Sequence, residues 1–365
     1  MTQIKHITQH LESIAPLSYQ EGYDNCGLIV GNPNAEVTGV MLCLDSTEAV
    51  IDEAIEKGCN LVIAHHPIVF KGLKKFNGRN YVERTVIKAI KNDVAIYAIH
   101  TNLDHVHNGV NAKIGEKLGL QNLQILSPKR QLLRKLVTFA PHADADKVRN
   151  ALFDAGAGHI GEYSEASFNL AGTGTFKGSD NSNPHVGNKG ERHQEPETRI
   201  ETIFPSHLEG KVIQALKEAH PYEEVAYDIF VLENENAQVG AGMVGELASP
   251  SEEVAFLQHI KQRLNTPMIR HTALLGKTVT KVAWCGGSGS FLLQDAIRAG
   301  AQVYITGDFK YHEFFDAENK IVIADVGHYE SEQFTPEIIH SILQKKFSNF
   351  ALYFTQVNTN PINYV

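Results

Sequence analysis

No apolar run in this chain approaches the roughly 18 residues that a membrane-crossing helix needs, which excludes an integral helical membrane protein. Basic residues are the minority charge, with 33 Lys and Arg against 42 Asp and Glu. The formal net charge of −9 therefore gives no bulk attraction to nucleic acid or to an anionic membrane. Cysteine is scarce. Cys26, Cys43, Cys59 and Cys285 are widely scattered and none forms a C-x-x-C pair, so no disulfide framework is expected and a reducing, cytoplasmic setting is. The opening residues Met1-Thr-Gln-Ile-Lys-His6 lack the charged-then-apolar pattern of a signal peptide, so no leader is expected. What remains is ordinary for a globular protein, with 42% hydrophobic and 21% charged residues over 365 positions. That length suggests two or three domains. Histidine is the exception, at 18 residues.

The chain opens as alternating helix and strand. Ile4, Ile7, Leu11 and Ile14 have helical spacing, and Pro16 ends that helix. Val37 to Leu44 reads as a strand, and Thr47 as the cap of a helix over 48–57. The apolar run Leu61 to Ala64 reads as a buried parallel strand stopped by His65-His66-Pro67, because proline cannot continue a central strand. A helix over 82–91, a strand over 94–99 and a helix over 110–118 closed by Gly119 follow. This alternation predicts a mostly parallel sheet.

The pattern changes near Pro128. Strand, helix, two short strands (161–169 and 172–176), a polar loop over 177–197, strand, helix (207–220) and strand give the order β-α-β-β(-β)-α-β, which fits a ferredoxin-like unit. The first pattern resumes after the polar segment 233–238, with a helix over 251–264 capped by Ser251. The expected architecture is α/β: a core of mixed, mostly parallel sheets flanked by helices, formed by 1–126 and 238–365, with 127–237 as an inserted α+β domain.

Ligands in open α/β sheets bind beyond the carboxyl ends of the strands. Several such ends carry chemistry here: His65-His66, Asp104, Asp308 and His328. Adjacent imidazoles at one strand end point apart and serve two ions better than one. Glu332 lies one helical turn beyond His328, on the same face if Gly327 starts a helix. Histidine nitrogen with carboxylate oxygen suits zinc first, with manganese or iron as alternatives, and either Asp104 or Glu332 could bridge two ions. Taken singly, each piece has a bland reading: a capping His-His pair, a turn aspartate, an i,i+4 pair on a solvated helix. Their shared placement at strand ends favours metal.

His100 also ends a strand and suits a supporting or catalytic role, whereas His105 and His107 read as solvent-facing. Asp308 and His312, spaced i,i+4, are further candidates for proton transfer, against the alternative of a helix cap and a surface histidine. Gly286, Gly287, Ser288 and Gly289, in a turn opening a helix, are candidates for holding phosphate through backbone N–H groups; the equal alternative is a tight turn that needs glycine for close packing.

The segments Asp24-Asn-Cys-Gly-Leu28, Ala64-His-His-Pro67, His100-Thr-Asn-Leu-Asp104, Trp284-Cys-Gly-Gly-Ser-Gly289, Thr306-Gly-Asp308 and Gly327-His-Tyr-Glu-Ser-Glu332 resemble those of the Nif-three-like dinuclear metal-centre family, whose members are often labelled GTP cyclohydrolase I type 2 homologues. The resemblance covers nearly the whole chain. His220-Pro-Tyr-Glu-Glu224 is similar to the PII-like (CutA-like) inserted module of the long bacterial members. The resemblance implies metal ligands at His65, His66, Asp104, His328 and Glu332, two divalent ions per chain, and a ring-like homohexamer with the sites facing an internal cavity. The label implies hydrolytic opening of the GTP imidazole ring, with formate released, by a metal-bound hydroxide. Two other expectations compete with it: a metal-dependent phosphoesterase acting on nucleotides, and a non-catalytic metal-binding regulatory protein suggested by the insert.

Overall fold

A computed structural model describes residues 2–365 and divides them into two compact units, 2–128 with 237–365, and 129–236. In chain order, the first unit contains α1 (Ile4–Ile14), β1 (Gly27–Val30), β2 (Gly39–Asp45), α2 (Glu48–Glu56), β3 (Leu61–His66), α3 (Tyr81–Lys91), β4 (Ala95–Ala98), α4 (Thr101–His105), α5 (Val110–Leu118) and β5 (Leu120–Lys129). The second unit comprises β6 (Leu133–Pro141), α6 (Ala145–Asp154), β7 (Phe168–Lys177), β8 (Arg192–Pro205), α7 (Glu209–Ala219) and β9 (Tyr227–Leu232). The first unit then continues with β10 (Asn236–Glu252), α8 (Glu253–Arg263), β11 (Arg270–His271), β12 (Thr278–Ser288), α9 (Leu293–Arg298), β13 (Val303–Gly307), β14 (Val322–Asp325), α10 (His328–Glu332), α11 (Thr335–Lys346) and β15 (Ala351–Phe354).

Two mixed sheets build the first unit, in the orders β1-β4-β3-β2-β15 and β11-β14-β13-β12-β10-β5. Strands β15, β2, β3 and β4 run parallel, as do β12, β13 and β14, while β1, β10 and β11 pair antiparallel to their neighbours. The central parallel strands are covered on both faces, which is why they read as unbroken apolar runs: Val40 to Cys43, Leu61 to Ala64 and Val322 to Ala324 are all wholly buried. Local chemistry starts and stops the helices. Thr47 Oγ1 accepts the Val50 N–H at the start of α2, and Asn80 Oδ1 accepts the Glu83 N–H at the start of α3. Gly119, in the left-handed region at φ 72°, closes α5.

The second unit has one four-stranded antiparallel sheet, ordered β7-β8-β6-β9, with α6 and α7 packed on one face around Leu136, Val148, Leu152, Ile200, Phe204 and Leu216. Its elements follow the order β-α-β-β-α-β. The two short strands expected before the polar segment are one strand, Phe168–Lys177. The expected loop 177–197 is partly strand, since β8 begins at Arg192 and pairs with β7 from Lys177 onward. Its first residues hid because the residues on their more sheltered face, His193, Glu195 and Glu197, are polar, leaving no apolar alternation to read. Pro196 is tolerated because the pairing of β8 with β6 has already ended at Glu197.

Ser251 is not a helix cap. It sits in β10 opposite Val279, and α8 starts two residues later at Glu253, whose buried carboxylate accepts the N–H groups of Leu275, Gly276 and Lys277.

One residue ties the two sequence halves of the first unit together. Asn111, on α5, accepts the Gly286 N–H through Oδ1, donates through Nδ2 to the Asp104 carbonyl, and receives the indole N–H of the fully buried Trp284 on its own carbonyl. Replacing Asn111 with Ala leaves the part-buried Gly286 N–H and Asp104 carbonyl without this partner, at a cost of about 1–3 kcal/mol each at full desolvation. Urea unfolding of Asn111→Ala should show a loss in that range. A stability within 0.5 kcal/mol or so of the wild type, the range of a neutral surface change, would show that the bracket carries no weight.

Candidate metal centre

The carboxyl ends of the parallel strands in both sheets deliver the site. In the first sheet, β2 ends at Asp45 directly beside His66 at the end of β3, and β4 leads into His100 and α4. In the second, β12 and β13 end at Ser288 and Gly307, and β14 leads through Gly327 into α10, which carries His328 and Glu332 one turn apart. The expectation that Gly327 starts a helix agrees with this geometry.

The five residues His65, His66, Asp104, His328 and Glu332 converge from these ends. Glu332 is buried and its two oxygens face different ways. Oε2 lies 3.0 Å from His66 Nε2 and 3.1 Å from His328 Nε2, and those two nitrogens are 3.3 Å apart. Oε1 lies 3.7 Å from His65 Nε2, which is 3.6 Å from Asp104 Oδ1. The result is two donor groups, His66–His328–Glu332 and His65–Asp104–Glu332, either of which could hold a metal ion. A tetrahedral ion with bonds of about 2.0–2.2 Å sets its donors about 3.3–3.6 Å apart, close to these spacings.

Two further observations fit a cation. His65 Nε2 and Asp104 Oδ1 are buried without a hydrogen-bond partner, among the described residues an unusual condition that a shared ion would remove. Each of these three histidines is also anchored through its other nitrogen, so that Nε2 points inward. His65 Nδ1 lies 2.8 Å from the Ile99 carbonyl, His66 Nδ1 2.8 Å from Asp45 Oδ1, and His328 Nδ1 2.7 Å from Asp308 Oδ2. The backbone is shaped to the same end. Gly287 has φ 62°, and a Cβ there would lie 2.4 Å from Glu332 Oε1.

The electrostatics set raised histidine pKa values around an ionised Glu332. Burial pulls the His66 imidazole down, but Asp45 and Glu332 more than offset it and raise it to about 9. Burial also opposes the charge on His328, yet Glu332 and Asp308 raise it to about 11. Burial and the neighbouring Glu332 charge push Asp104 well above the carboxylate range, while the histidines hold Glu332 well below it despite its burial. Cys285 lines the same cavity, but burial and the charges of Asp104 and Glu332 push its thiol far up, so it is no thiolate.

Other expected residues fall differently. Asp308 is the oxygen partner of His328. His312 is exposed on a short helical turn, stacked on Phe315, and does not line the cavity. His105 is a correction: it is buried, with Nδ1 2.8 Å from the Tyr19 carbonyl and Nε2 3.2 Å from Glu21. The sequence pattern missed this because α4 is a single turn whose polar side chains point into the protein. The N–H groups of Gly286 and Gly287 are already engaged, by Asn111 Oδ1 and Ser331 Oγ.

Sequence reasoning also passed over Asp24 and Asp45. Asp45 ends a strand, as His66 does, and that signal was available. Asp24 has a wholly buried side chain that receives the His100 Nδ1 at 2.9 Å, the Thr101 hydroxyl and N–H, and the Asn25 N–H. His100 Nε2 is thereby turned toward His65 and His66 in a third cluster of donors.

A family model described as Duf34/NIF3 (NGG1p interacting factor 3) matches residues 2–361. A Halalkalibacterium halodurans protein named GTP cyclohydrolase 1 type 2 homolog is 39% identical over 98% of both chains, and a Bacillus subtilis protein of the same name is 39% identical over 99% of this chain and 98% of its own. The crystal structure of a Bacillus cereus protein related to NIF3 superposes with a TM-score of 0.85 at 39% identity, covering 100% of this chain and 99% of that one.

Asp24 generates a pH-dependent expectation. Burial alone would raise its pKa, but the hydrogen bonds from His100, Thr101 and Asn25 more than offset it and hold the carboxyl well below its ordinary value. A depressed folded pKa stabilises above the unfolded value of about 3.9, and that contribution fades as pH falls through the folded value. Asp24→Asn should therefore be less stable than wild type by about 1–3 kcal/mol at pH 7. The gap should narrow below roughly pH 4. A gap that stays constant down to pH 2 or so, below the unfolded value, would show that the charge of Asp24 is not what stabilises the fold.

Proposed function

The chain belongs to the Duf34/NIF3 family, and from that premise and the donor geometry we propose that it is a hydrolase using two divalent ions, zinc first, with manganese or iron as alternatives. The observation that carries this reading is Glu332, whose two oxygens serve two separate donor groups at once. His65 and Asp104 would complete one site and His66 and His328 the other, with Glu332 bridging. Bound there, the ions supply Lewis acidity that makes water nucleophilic near neutral pH. The chain's own residues do the rest. Asp45, Asp308 and the Ile99 carbonyl fix the imidazoles, and Asp24 fixes His100 so that its Nε2 can hold or pass a proton inside the cavity.

The cavity has a volume of about 930 Å³, and Tyr23, Phe70, Tyr81 and Phe291 give it aromatic walls. That room and lining suit a nucleobase. The reaction favoured is a GTP cyclohydrolysis, after the name the relatives carry, which we read as opening of the imidazole ring with loss of formate. Cleavage of a nucleotide phosphoester by the same ions is the competing hydrolysis.

The inserted unit is read as ferredoxin-like and PII-like. Its β-α-β-β-α-β order and its sheet order β7-β8-β6-β9 support this, and its own cavity of about 860 Å³ supports a regulatory role for it. A homohexamer remains part of this reading, and the mass in solution by light scattering tests it.

Metal content of protein purified without chelator should be two ions per chain, and His66→Ala or Asp104→Ala should each lower it while the fold is retained. Because His66, His328 and Asp104 carry protons when no cation is bound, uptake should release protons and weaken as pH falls. Incubation of the loaded protein with GTP should yield formate and a ring-opened product by mass spectrometry. Unchanged stoichiometry in both variants would overturn the ligand assignment, and phosphate release without formate would move the reaction to the phosphoester.

A further inference from the structure

The cavity is lined by Glu21, Asp45, Asp104 and Glu332 and, among the described residues, by no lysine or arginine. The segment on its border has the opposite character. Phe70 and Tyr81 both line the cavity, and the stretch between them carries Lys71, Lys74, Lys75 and Arg79, all exposed. None of these four side chains has a carboxylate partner among the described residues, whereas Arg84 and Lys88 on the following helix pair with Glu48 and Asp52. Four unpaired cations within nine positions stand out in a chain of net charge −9.

Aromatic rings connect this rim to the donors. Tyr23 and Phe70 face each other with centroids 6.1 Å apart, and Phe70 is also 6.1 Å from His100. A flat heterocycle has stacking partners here, while a polyphosphate sent inward meets carboxylates and the spent amides of Gly286 and Gly287.

We infer that residues 71–79 form a phosphate-binding rim, so that a nucleotide enters base first: its heterocycle lies against Tyr23 and Phe70 facing the metal donors, and its phosphates stay outside on Lys71, Lys74, Lys75 and Arg79. The inference rests on the hydrolase reading for the identity of the inner site and selects ring chemistry over phosphoester chemistry within it. Lysine and arginine are the side chains that recognise phosphate, and contacts at an exposed rim are sensitive to salt.

The test is calorimetric binding of guanosine, GTP and inorganic tripolyphosphate to the wild type and to Lys74→Glu/Lys75→Glu, each protein both metal-loaded and chelator-treated. GTP should bind the double variant at least tenfold more weakly, guanosine should bind both proteins equally, and added salt should weaken GTP binding only in the wild type. Tripolyphosphate should still bind the chelator-treated wild type and be lost in the variant.

Tripolyphosphate binding that requires metal and ignores the substitutions would place phosphate at the donors and overturn the inference. So would GTP affinity unchanged by the substitutions, or absence of guanosine binding to either protein. A single-stranded oligonucleotide held far more tightly than GTP by the same lysines would overturn the assignment to a mononucleotide. A chain that takes up no metal yet binds tripolyphosphate through these lysines would refute the hydrolase reading and leave the phosphate rim standing.

Discussion

The burial of the Glu332 carboxylate is the constraint from which the rest of the centre follows. An ionised carboxylate withdrawn from water is tolerated only when opposite charge or donors surround it closely. Here three imidazoles do so, two of them held in the charged form by Asp45, Asp308 and Glu332 itself. The surrounding backbone is built to keep that carboxylate in place. Gly287 leaves no Cβ where Glu332 Oε1 must lie, Ser331 takes the Gly287 N–H, and Asn111 fastens Gly286 to α5. A cluster that needs protonated histidines to balance a buried carboxylate is one in which a divalent cation can take the place of the protons, without rearranging the oxygens that hold each Nδ1.

The scaffold explains why residues 266 positions apart can meet at 3.0 Å, as His66 and Glu332 do. Both sheets of the first unit present their parallel strands' carboxyl ends to the same cavity. The insertion leaves this arrangement intact because the chain departs at the end of β5 and returns at the start of β10, and these two strands are neighbours in one sheet. A segment inserted between adjacent strands asks nothing of the core except that two nearby ends stay nearby.

How much of this could be read in the sequence depended on the range of the interaction involved. The buried strands declared themselves through apolar runs, His65-His66 and His328 through their position at strand ends, and Glu332 through its helical spacing from His328, because all three signals are local. Asp45 shared that position, but nothing in its local sequence sets it apart from an ordinary strand-end carboxylate. Asp24 could not be assigned from position. Its role depends on His100 and Thr101, 76 and 77 residues away, being folded onto it. His105 misled for a related reason: on a one-turn helix there is no periodicity to tell an inward polar side chain from an outward one. The first residues of β8 failed in the opposite sense, since a strand whose sheltered face is polar carries no apolar alternation.

Charge within the cavity bears on what it can select. Two divalent ions would bring four positive charges to a site whose carboxylates are Glu21, Asp24, Asp45, Asp104, Asp308 and Glu332. The carboxylates outnumber those charges, so the net charge of the loaded interior would offer an entering anion no long-range attraction. Discrimination then falls to shape and to stacking against Tyr23 and Phe70, while long-range attraction for an anion must come from side chains outside the cavity wall. On the proposed reading, the ions would supply the same chemistry whatever the substrate. The aromatic wall and the cationic border would then decide which bond of a nucleotide is brought to them, and both belong to parts of the chain outside the donor set.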